Sequence, residues 1–158
     1  MSQMRQWMRL IEATAHRLRV FHGSPEPSFP LLNEPLYGVR DFGFAASYGL
    51  DRGRRHSSYV HTFDFSFDHL CDEASLDSLF AQHGIEPWPS AAGVFIQNPE
   101  FMQILIDAGY DGLTAHDFGF RSDFEELPVW MVVNAAQQAK RIAVTEVTEA
   151  DLHRTHAP

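Results

Sequence analysis

The amino-acid sequence predicts an α+β domain whose strands pair mainly in the antiparallel sense. Segments with helical spacing and short strands follow each other without the regular strand–helix–strand order that builds parallel sheets. The strand pattern is clearest over Ser58–Phe67, where aromatic residues and histidine alternate with smaller, mostly polar ones. With 158 residues the chain is long enough for one domain with its own core.

The first half of the chain is expected to form helices and strands separated by a loop. Apolar residues at a spacing of three to four indicate the helices, while glycines and prolines mark the breaks. In chain order the elements are a helix over 3–18, a strand over Leu18–Phe21, a loop over 24–36, a strand over Leu36–Val39, a short helical stretch over Phe44–Leu50 and a strand over Ser58–Phe67.

The second half is expected to contain two helices and three strands. Gly109 is placed to end the second of these helices. In chain order the elements are helices over Glu73–Gln82 and Asn98–Ala108, and strands over Leu113–Ala115, Val129–Val133 and Arg141–Val147. We divide the chain into an N-terminal helix over 1–17, a domain over 18–148 and a polar tail over 149–158.

Composition narrows the compartment and the partners. The net charge of −9 disfavours general binding to nucleic acids, because phosphate backbones repel an acidic surface. The lone Cys71 excludes an internal disulfide and favours a reducing compartment. No apolar run is long enough for a membrane span, and the first residues lack the apolar core of a signal peptide. We expect a cytoplasmic protein with no membrane partner; delivery into a host or target cell without a signal peptide is compatible with this.

A group of polar and aromatic residues carries the functional signal. His22-Gly23-Ser24 follows the first apolar strand, and Gly23 would allow a ligand to approach the backbone. Tyr37 lies on the next strand, and Tyr48 follows eleven positions later. Two tyrosines so placed could hold a flat aromatic ligand between their rings. Taken singly, these residues are also compatible with a turn and with core aromatics.

In this order the motifs resemble the ADP-ribosyltransferase superfamily. The similarity is to the branch with a His-Tyr-Glu triad, which includes poly(ADP-ribose) polymerases, diphtheria-toxin-like enzymes and small phage and bacterial proteins. FMQILIDAGYDGL at 101–113 resembles a helix and turn of the small members, and VWMVVNAAQQAKRI at 129–142 resembles their closing strand. The resemblance covers roughly residues 18–147.

The resemblance implies a compact fold in which two small, mainly antiparallel sheets form an NAD cleft with helices at its sides. His22 would bind a ribose hydroxyl of NAD, and the backbone of Gly23 would pair with the nicotinamide carboxamide. Ser24 would support this pocket, Tyr37 would line it and Tyr48 would stack on the nicotinamide ring. The implied activity is transfer of ADP-ribose to a macromolecule with release of nicotinamide. It requires no metal, because nicotinamide leaves as a neutral molecule.

The acidic residue of the triad is where the sequence departs from the family. The family places it at the start of the closing strand, where this chain has Val129. Glu126 is our preferred acid, on the premise that Pro128 displaces the start of the strand. Glu125 and Asp123 are alternatives. If none of these carboxylates reaches the ribose, catalysis is lost.

We therefore predict Glu126, His22 and Tyr37 as catalytic residues. The target is expected to be a protein rather than a nucleic acid, and an antitoxin or host factor is a further partner that a toxin or effector of this kind would have. The alternatives are a catalytically inactive binding module, an NAD glycohydrolase and an RNA 2′-phosphotransferase. The basic stretch with Arg52, Arg54 and Arg55 is read either as a solvated loop or, beside an NAD cleft, as a contact for the diphosphate or for an acidic target.

The remaining polar residues suggest no second site. The spacing of His61, His69 and His116 matches no metal-binding motif. Asp111 precedes a glycine and is expected to shape a turn. Cys71 is expected to be a small buried residue and not a nucleophile.

Overall fold

The computed structural model describes residues 17–53, 57–84, 99–116 and 128–151. They form an α+β fold built on a seven-stranded mixed sheet, in the order β4-β5-β6-β2-β1-β3-β7. The strands are β1 Arg17–Ser24, β2 Leu36–Val39, β3 Ser57–Ser66, β4 Leu70–Cys71, β5 Gly112–His116, β6 Pro128–Val132 and β7 Ala139–Thr148. The helices are α1 Phe42–Gly53, α2 Glu73–Gln82, α3 Pro99–Asp107 and α4 Ala135–Gln138. Among the described strands, β4 and β5 alone pair in parallel, so the predicted class and the mainly antiparallel pairing are confirmed.

The strand pairing within the sheet is least extensive between β1 and β2. All eight residues of β1 pair with β3, and all four residues of β2 pair with β6. In contrast, β1 and β2 share the single residue pair Phe21↔Val39. The sheet is continuous, yet it consists of two well-paired halves, β1-β3-β7 and β4-β5-β6-β2. Below we call the place where they meet the β1–β2 junction.

The two faces of the sheet carry different kinds of residue. One face carries Gly23 and Val60, packs against α1, and is called the α1 face below. The other carries His22 and His61, which are paired across β1 and β3 and therefore point the same way. The segment 25–35 lies on this second face, which we call the loop face.

Strand β3 confirms the predicted alternation and adds one feature. His61, Phe63 and Phe65 are fully buried on the loop face, as the aromatic pattern indicated. Val60 is also fully buried, although it points to the opposite face. The strand therefore lies in the middle of the domain, with α1 on one side and segment 25–35 on the other.

Local sequence explains how the helices begin and end. The carboxylate of Asp72 accepts a hydrogen bond from the backbone N–H of Ser75, which caps α2. Gly109 has a positive φ of 91° just after α3, a conformation that favours glycine. The carbonyl oxygen of the Asn134 side chain caps the single turn of α4.

Several boundaries differ from the expectation. The helix expected over 3–18 lies mostly outside the described residues, and Arg17 and Leu18 belong to β1. The motif His22-Gly23-Ser24 was expected just beyond the strand, but it lies within β1 because β3 supplies paired residues as far as Tyr59. Helix α1 is longer than the stretch expected over Phe44–Leu50. The short elements β4 and α4 were not predicted.

Candidate functional site

Three of the predicted site residues, His22, Tyr37 and Tyr48, meet at the β1–β2 junction. His22 is half-buried, and its Nδ1 lies 2.8 Å from the carbonyl oxygen of Tyr37. Because a carbonyl oxygen can only accept, Nδ1 carries the proton and donates it to this bond. The other ring nitrogen, Nε2, is then an acceptor. The junction thus fixes both the position and the tautomer of the imidazole.

The rings of His22, Tyr37 and Tyr48 form a continuous chain of contacts. The centroids of His22 and Tyr37 are 5.1 Å apart with the ring planes at 65°, and those of Tyr37 and Tyr48 are 5.6 Å apart at 87°. All three side chains are partly exposed. The structure therefore brings together the three side chains that the sequence singled out, at a position that solvent reaches.

The ring geometry limits how a flat ligand could bind. A ring held between two parallel rings needs roughly 7 Å between them, about twice the contact distance of 3.5 Å. Tyr37 and Tyr48 are closer than this and meet edge to face. A pyridine ring would therefore stack on one exposed tyrosine face and would not lie between the two rings as they stand.

Gly23 and Gly49 bring α1 close to β1. A Cβ atom on Gly23 would lie 1.6 Å from the carbonyl oxygen of Ala45. A Cβ atom on Gly49 would lie 2.0 Å from Ser58 Oγ and 2.9 Å from the backbone nitrogen of Ser24. The close approach that Gly23 permits in the structure is thus the approach of the helix.

Ser24 turns the chain from β1 into segment 25–35. Its Oγ accepts a hydrogen bond from the backbone N–H of Glu26, and the residue itself is buried. This bond sets the direction in which the chain leaves the strand, and therefore where the segment crosses the loop face.

His22 is held in its neutral form. Burial lowers its pKa to about 4, and the charges of His61, when it is protonated, and of Arg141 act in the same direction. The hydrogen bond to the Tyr37 carbonyl opposes the shift but does not cancel it. At neutral pH, Nε2 therefore remains an unprotonated acceptor.

A second group of residues lies beside His22 on the loop face. The His61 ring is fully buried, and its Nε2 lies 3.0 Å from the carbonyl oxygen of Glu26. The ring of Phe29 covers both imidazoles, with centroid distances of 4.5 Å to His61 and 5.5 Å to His22. Arg141 lies over the Phe29 ring at 4.7 Å and donates from a terminal nitrogen to the Phe29 carbonyl at 2.8 Å.

Arg141 reaches this group because β7 contains a bulge. Thr62 pairs with Ala143 and Phe63 pairs with Arg141, so Ile142 is an extra residue in β7. Without the extra residue, Arg141 would share a face with Ala143 and point away from Phe63. No local sequence pattern indicates this bulge, and none marks Arg141 as a site residue.

The position that the resemblance assigns to the acid is apolar and closed. Val129 is 1% exposed and packs with Val39, Phe44 and Ala45 beneath α1. No carboxylate can therefore act from this position of β6.

The predicted acid lies elsewhere in the chain. Glu126 and its alternatives Glu125 and Asp123 precede β6 and lie outside the described residues, as do Arg54 and Arg55. Arg52 belongs to α1, but its side chain is not among those described.

Two of the remaining predictions are confirmed. Asp111 is structural, since its carboxylate accepts hydrogen bonds from the backbone N–H groups of Asp68 and His69. Cys71 is buried, and burial raises its pKa to about 12, which keeps the thiol protonated and unreactive.

In the described ranges, no group of three or more His, Cys, Asp or Glu residues is placed to hold a metal ion. No helix in these same ranges is long and apolar enough to cross a membrane.

Comparison with known proteins adds one distant similarity. No protein family model matches the chain, and no curated protein sequence matches it. Among solved structures, the chain is similar to the crystal structure of an anti-CRISPR protein, with a TM-score of 0.42 and 13% sequence identity. The match covers 84% of this chain and 97% of that chain. At this distance the similarity assigns neither a fold family nor a function.

Proposed function

We propose that this chain is a mono-ADP-ribosyltransferase that binds NAD at the β1–β2 junction. The observation that carries the proposal is the contact chain of His22, Tyr37 and Tyr48, in which a neutral imidazole lies against the partly exposed ring of Tyr37 and that ring contacts Tyr48. These three residues are also the ones on which the resemblance to ADP-ribosyltransferases depends. The fold that the resemblance implies has two small sheets around an NAD cleft, whereas the described strands form one continuous sheet whose two halves share a single residue pair at the junction.

The tautomer of His22 suits the recognition of a sugar. Its Nδ1–H is used by the Tyr37 carbonyl, so Nε2 is left to accept a hydrogen bond from a ribose hydroxyl. The lowered pKa of His22 keeps this acceptor available at neutral pH. Tyr48 offers a ring face to the nicotinamide, and Tyr37 holds both neighbours in place.

The proposed reaction breaks the bond between the ribose C1′ and the nicotinamide nitrogen. The electron pair leaves with nicotinamide, and a nucleophile of the target protein bonds to C1′ and loses its proton. A carboxylate is needed to stabilise the oxocarbenium-like transition state and to take up this proton. We assign this role to Glu126.

A second candidate is a binding module that holds NAD or another ligand without catalysis. The observation that favours it is the buried, apolar environment of Val129, at the position where the resemblance places the acid. In this alternative the junction is retained and the chemistry is lost. Hydrolysis of NAD would need the same carboxylate and is grouped with the first candidate.

Two measurements on purified protein test the proposal: NAD binding by titration calorimetry and nicotinamide release by chromatography. We expect His22→Ala to weaken NAD binding about tenfold or more, because it removes the ribose acceptor. His69→Ala is the matched control, since His69 is exposed and we expect it to bind as the wild type does. Glu126→Gln should abolish release and change the Kd for NAD by less than about twofold, since the carboxylate acts mainly in the transition state.

The outcomes separate the candidates. Binding that depends on His22, together with release that depends on Glu126, supports the enzyme. Binding that depends on His22 without any release supports the module. If the wild type does not bind NAD, or if His22→Ala binds it normally, the assignment of the site is wrong.

A further inference from the structure

Arg141 is a cation without a carboxylate partner among the described residues. In the part of the chain that the structure describes, no carboxylate pairs with its guanidinium. Its Nε is buried and has no hydrogen-bond partner there. Its contacts are the Phe29 carbonyl and the ring faces of Phe29 and Phe63, at 4.7 and 5.3 Å. By contrast, the exposed Arg19 is fully paired with Asp64.

This arrangement leaves part of the charge uncompensated. Removing a cation from water is unfavourable unless an anion and hydrogen bonds replace the lost hydration. Ring faces and one carbonyl supply only part of that compensation. Although the whole chain is acidic, none of the carboxylates in the described ranges pairs with this half-buried arginine. An anion from outside the chain would complete its coordination.

His61 supplies a second unsatisfied atom in the same group. Its Nε2–H donates to the Glu26 carbonyl, so Nδ1 is an acceptor, and Nδ1 is buried without a partner among the described residues. The positive field of Arg141 lowers the pKa of both His61 and His22, which shows that the guanidinium acts on both rings. The loop face thus combines a fixed cationic donor with two neutral imidazole acceptors.

The chemistry of these three side chains fits a phosphate ester of a sugar. Phosphoryl oxygens accept hydrogen bonds from a guanidinium, and neighbouring hydroxyl groups donate to imidazole nitrogens. We propose that Arg141 forms a phosphoryl-binding subsite on the loop face, with His61 beside it to accept from a sugar hydroxyl, and that the ligand uncovers this subsite by displacing Phe29. If the proposed function is correct, the group bound there is the diphosphate of NAD. The identification of the ligand as NAD rests on the proposed function, whereas the anion site itself is independent of it.

Phe29 covers the proposed subsite and must move when a ligand binds there. Phe29 lies over His61 and beneath Arg141, and its carbonyl occupies one donor of the guanidinium. A phosphoryl group would take over that donor and also bind the unpaired Nε. Segment 25–35 would then lose one of its attachments, while those of Glu34 to Ala135 and of Leu32 to Ala136 would remain.

Nuclear magnetic resonance on the wild-type protein tests the subsite directly. Arginine Nε–H signals are followed while pyrophosphate is added. We expect the Arg141 Nε–H signal to shift and saturate, because it gains an acceptor. The Arg19 Nε–H signal is the internal control, since it already donates to Asp64 at 3.0 Å. No shift at Arg141, or an equal shift at both arginines, would overturn the proposal.

Variants of Arg141 test whether a nucleotide binds at this subsite. Arg141→Gln should weaken ADP-ribose binding at least tenfold, whereas Arg19→Gln, which removes the same charge elsewhere on the sheet, should bind normally. Arg141→Lys keeps the charge without the planar fork and is expected to fall between the two. Thermal melting of each variant confirms that it is folded. Equal affinities of folded Arg141→Gln and the wild type would refute the subsite.

The two proposals can fail separately. If pyrophosphate binds at Arg141 but NAD neither binds nor competes, the anion site stands and the proposed function is wrong. If NAD binding depends on His22 but not on Arg141, the proposed function stands and the subsite is wrong.

Discussion

The two faces of β1 are built in different ways although their residues alternate along a single strand. On the α1 face, Gly23 meets the backbone of α1 so closely that there is no room for a side chain. On the loop face, its neighbour His22 is held by a hydrogen bond to the Tyr37 carbonyl and by ring contacts. One face is thus held by close packing, and the other by polar and aromatic contacts that a ligand could replace. The α1 face therefore contributes mainly to stability, and the loop face is where we propose that the phosphoryl group binds.

The largest effect is expected on the α1 face. Gly23→Ala would place a Cβ atom 1.6 Å from the Ala45 carbonyl oxygen, and α1 would have to move. We expect a loss of about 3 kcal/mol or more in the free energy of unfolding, measured by urea denaturation. Gly84→Ala is the control: Gly84 has a positive φ but no atom within 4 Å of the added Cβ, so the expected loss is only about 1 kcal/mol. Equal losses would show that the close contact with α1 is unimportant.

A smaller effect is expected from opening the loop face. Phe29→Ala removes a half-buried ring that covers both imidazoles. We expect a loss of roughly 2 kcal/mol, below the range for a fully buried Phe. The pKa of His22 should also rise towards its ordinary value as water reaches the ring, which nuclear magnetic resonance titration measures. A more stable variant, or a His22 pKa that does not change, would contradict the role of Phe29 as a cover.

The smallest effect, measured per pH unit, is expected for the dependence of stability on pH. Both His22 and His61 have lowered pKa values in the folded state, with that of His22 about 4. Below pH 6.5 the unfolded chain takes up protons that the folded chain does not, so stability is present above this pH and falls between pH 6.5 and 4. Because His22 is partly exposed, we expect a slope of about 1 kcal/mol per pH unit. Denaturation at several pH values should show a smaller slope for His22→Gln than for the wild type, and equal slopes would contradict the role of His22.

The sequence predicted the regular elements well because their patterns are local. The bounds of β2 and α2 were predicted to the residue, and β3 within one residue at each end. Short elements were missed, since two residues of β4 or one turn of α4 hold too little periodicity to detect. A signal for α4 was nevertheless present: Asn134 followed by Gln137 is the type of pair that begins a helix.

The candidate site was predicted only in part. The sequence identified His22, Tyr37 and Tyr48, and these side chains are in contact in the structure. It did not identify Phe29 or Arg141, because nothing in their local sequence marks them. Their roles depend on the path of segment 25–35 and on the bulge at Ile142, and both arise from pairing between distant strands.

The sequence by itself determined the α+β class, most element boundaries and the residue types at the candidate site, since each follows from periodicity and side-chain chemistry over short stretches. Only the tertiary structure decided that Gly23 accommodates a helix, that Val129 is closed off in the core, and that Arg141 lies beside two neutral histidines. These facts depend on which distant strand lies opposite each residue and on what covers the sheet. Hydrophobic patterning specifies that a residue is buried, whereas chain topology decides which residues it is buried against.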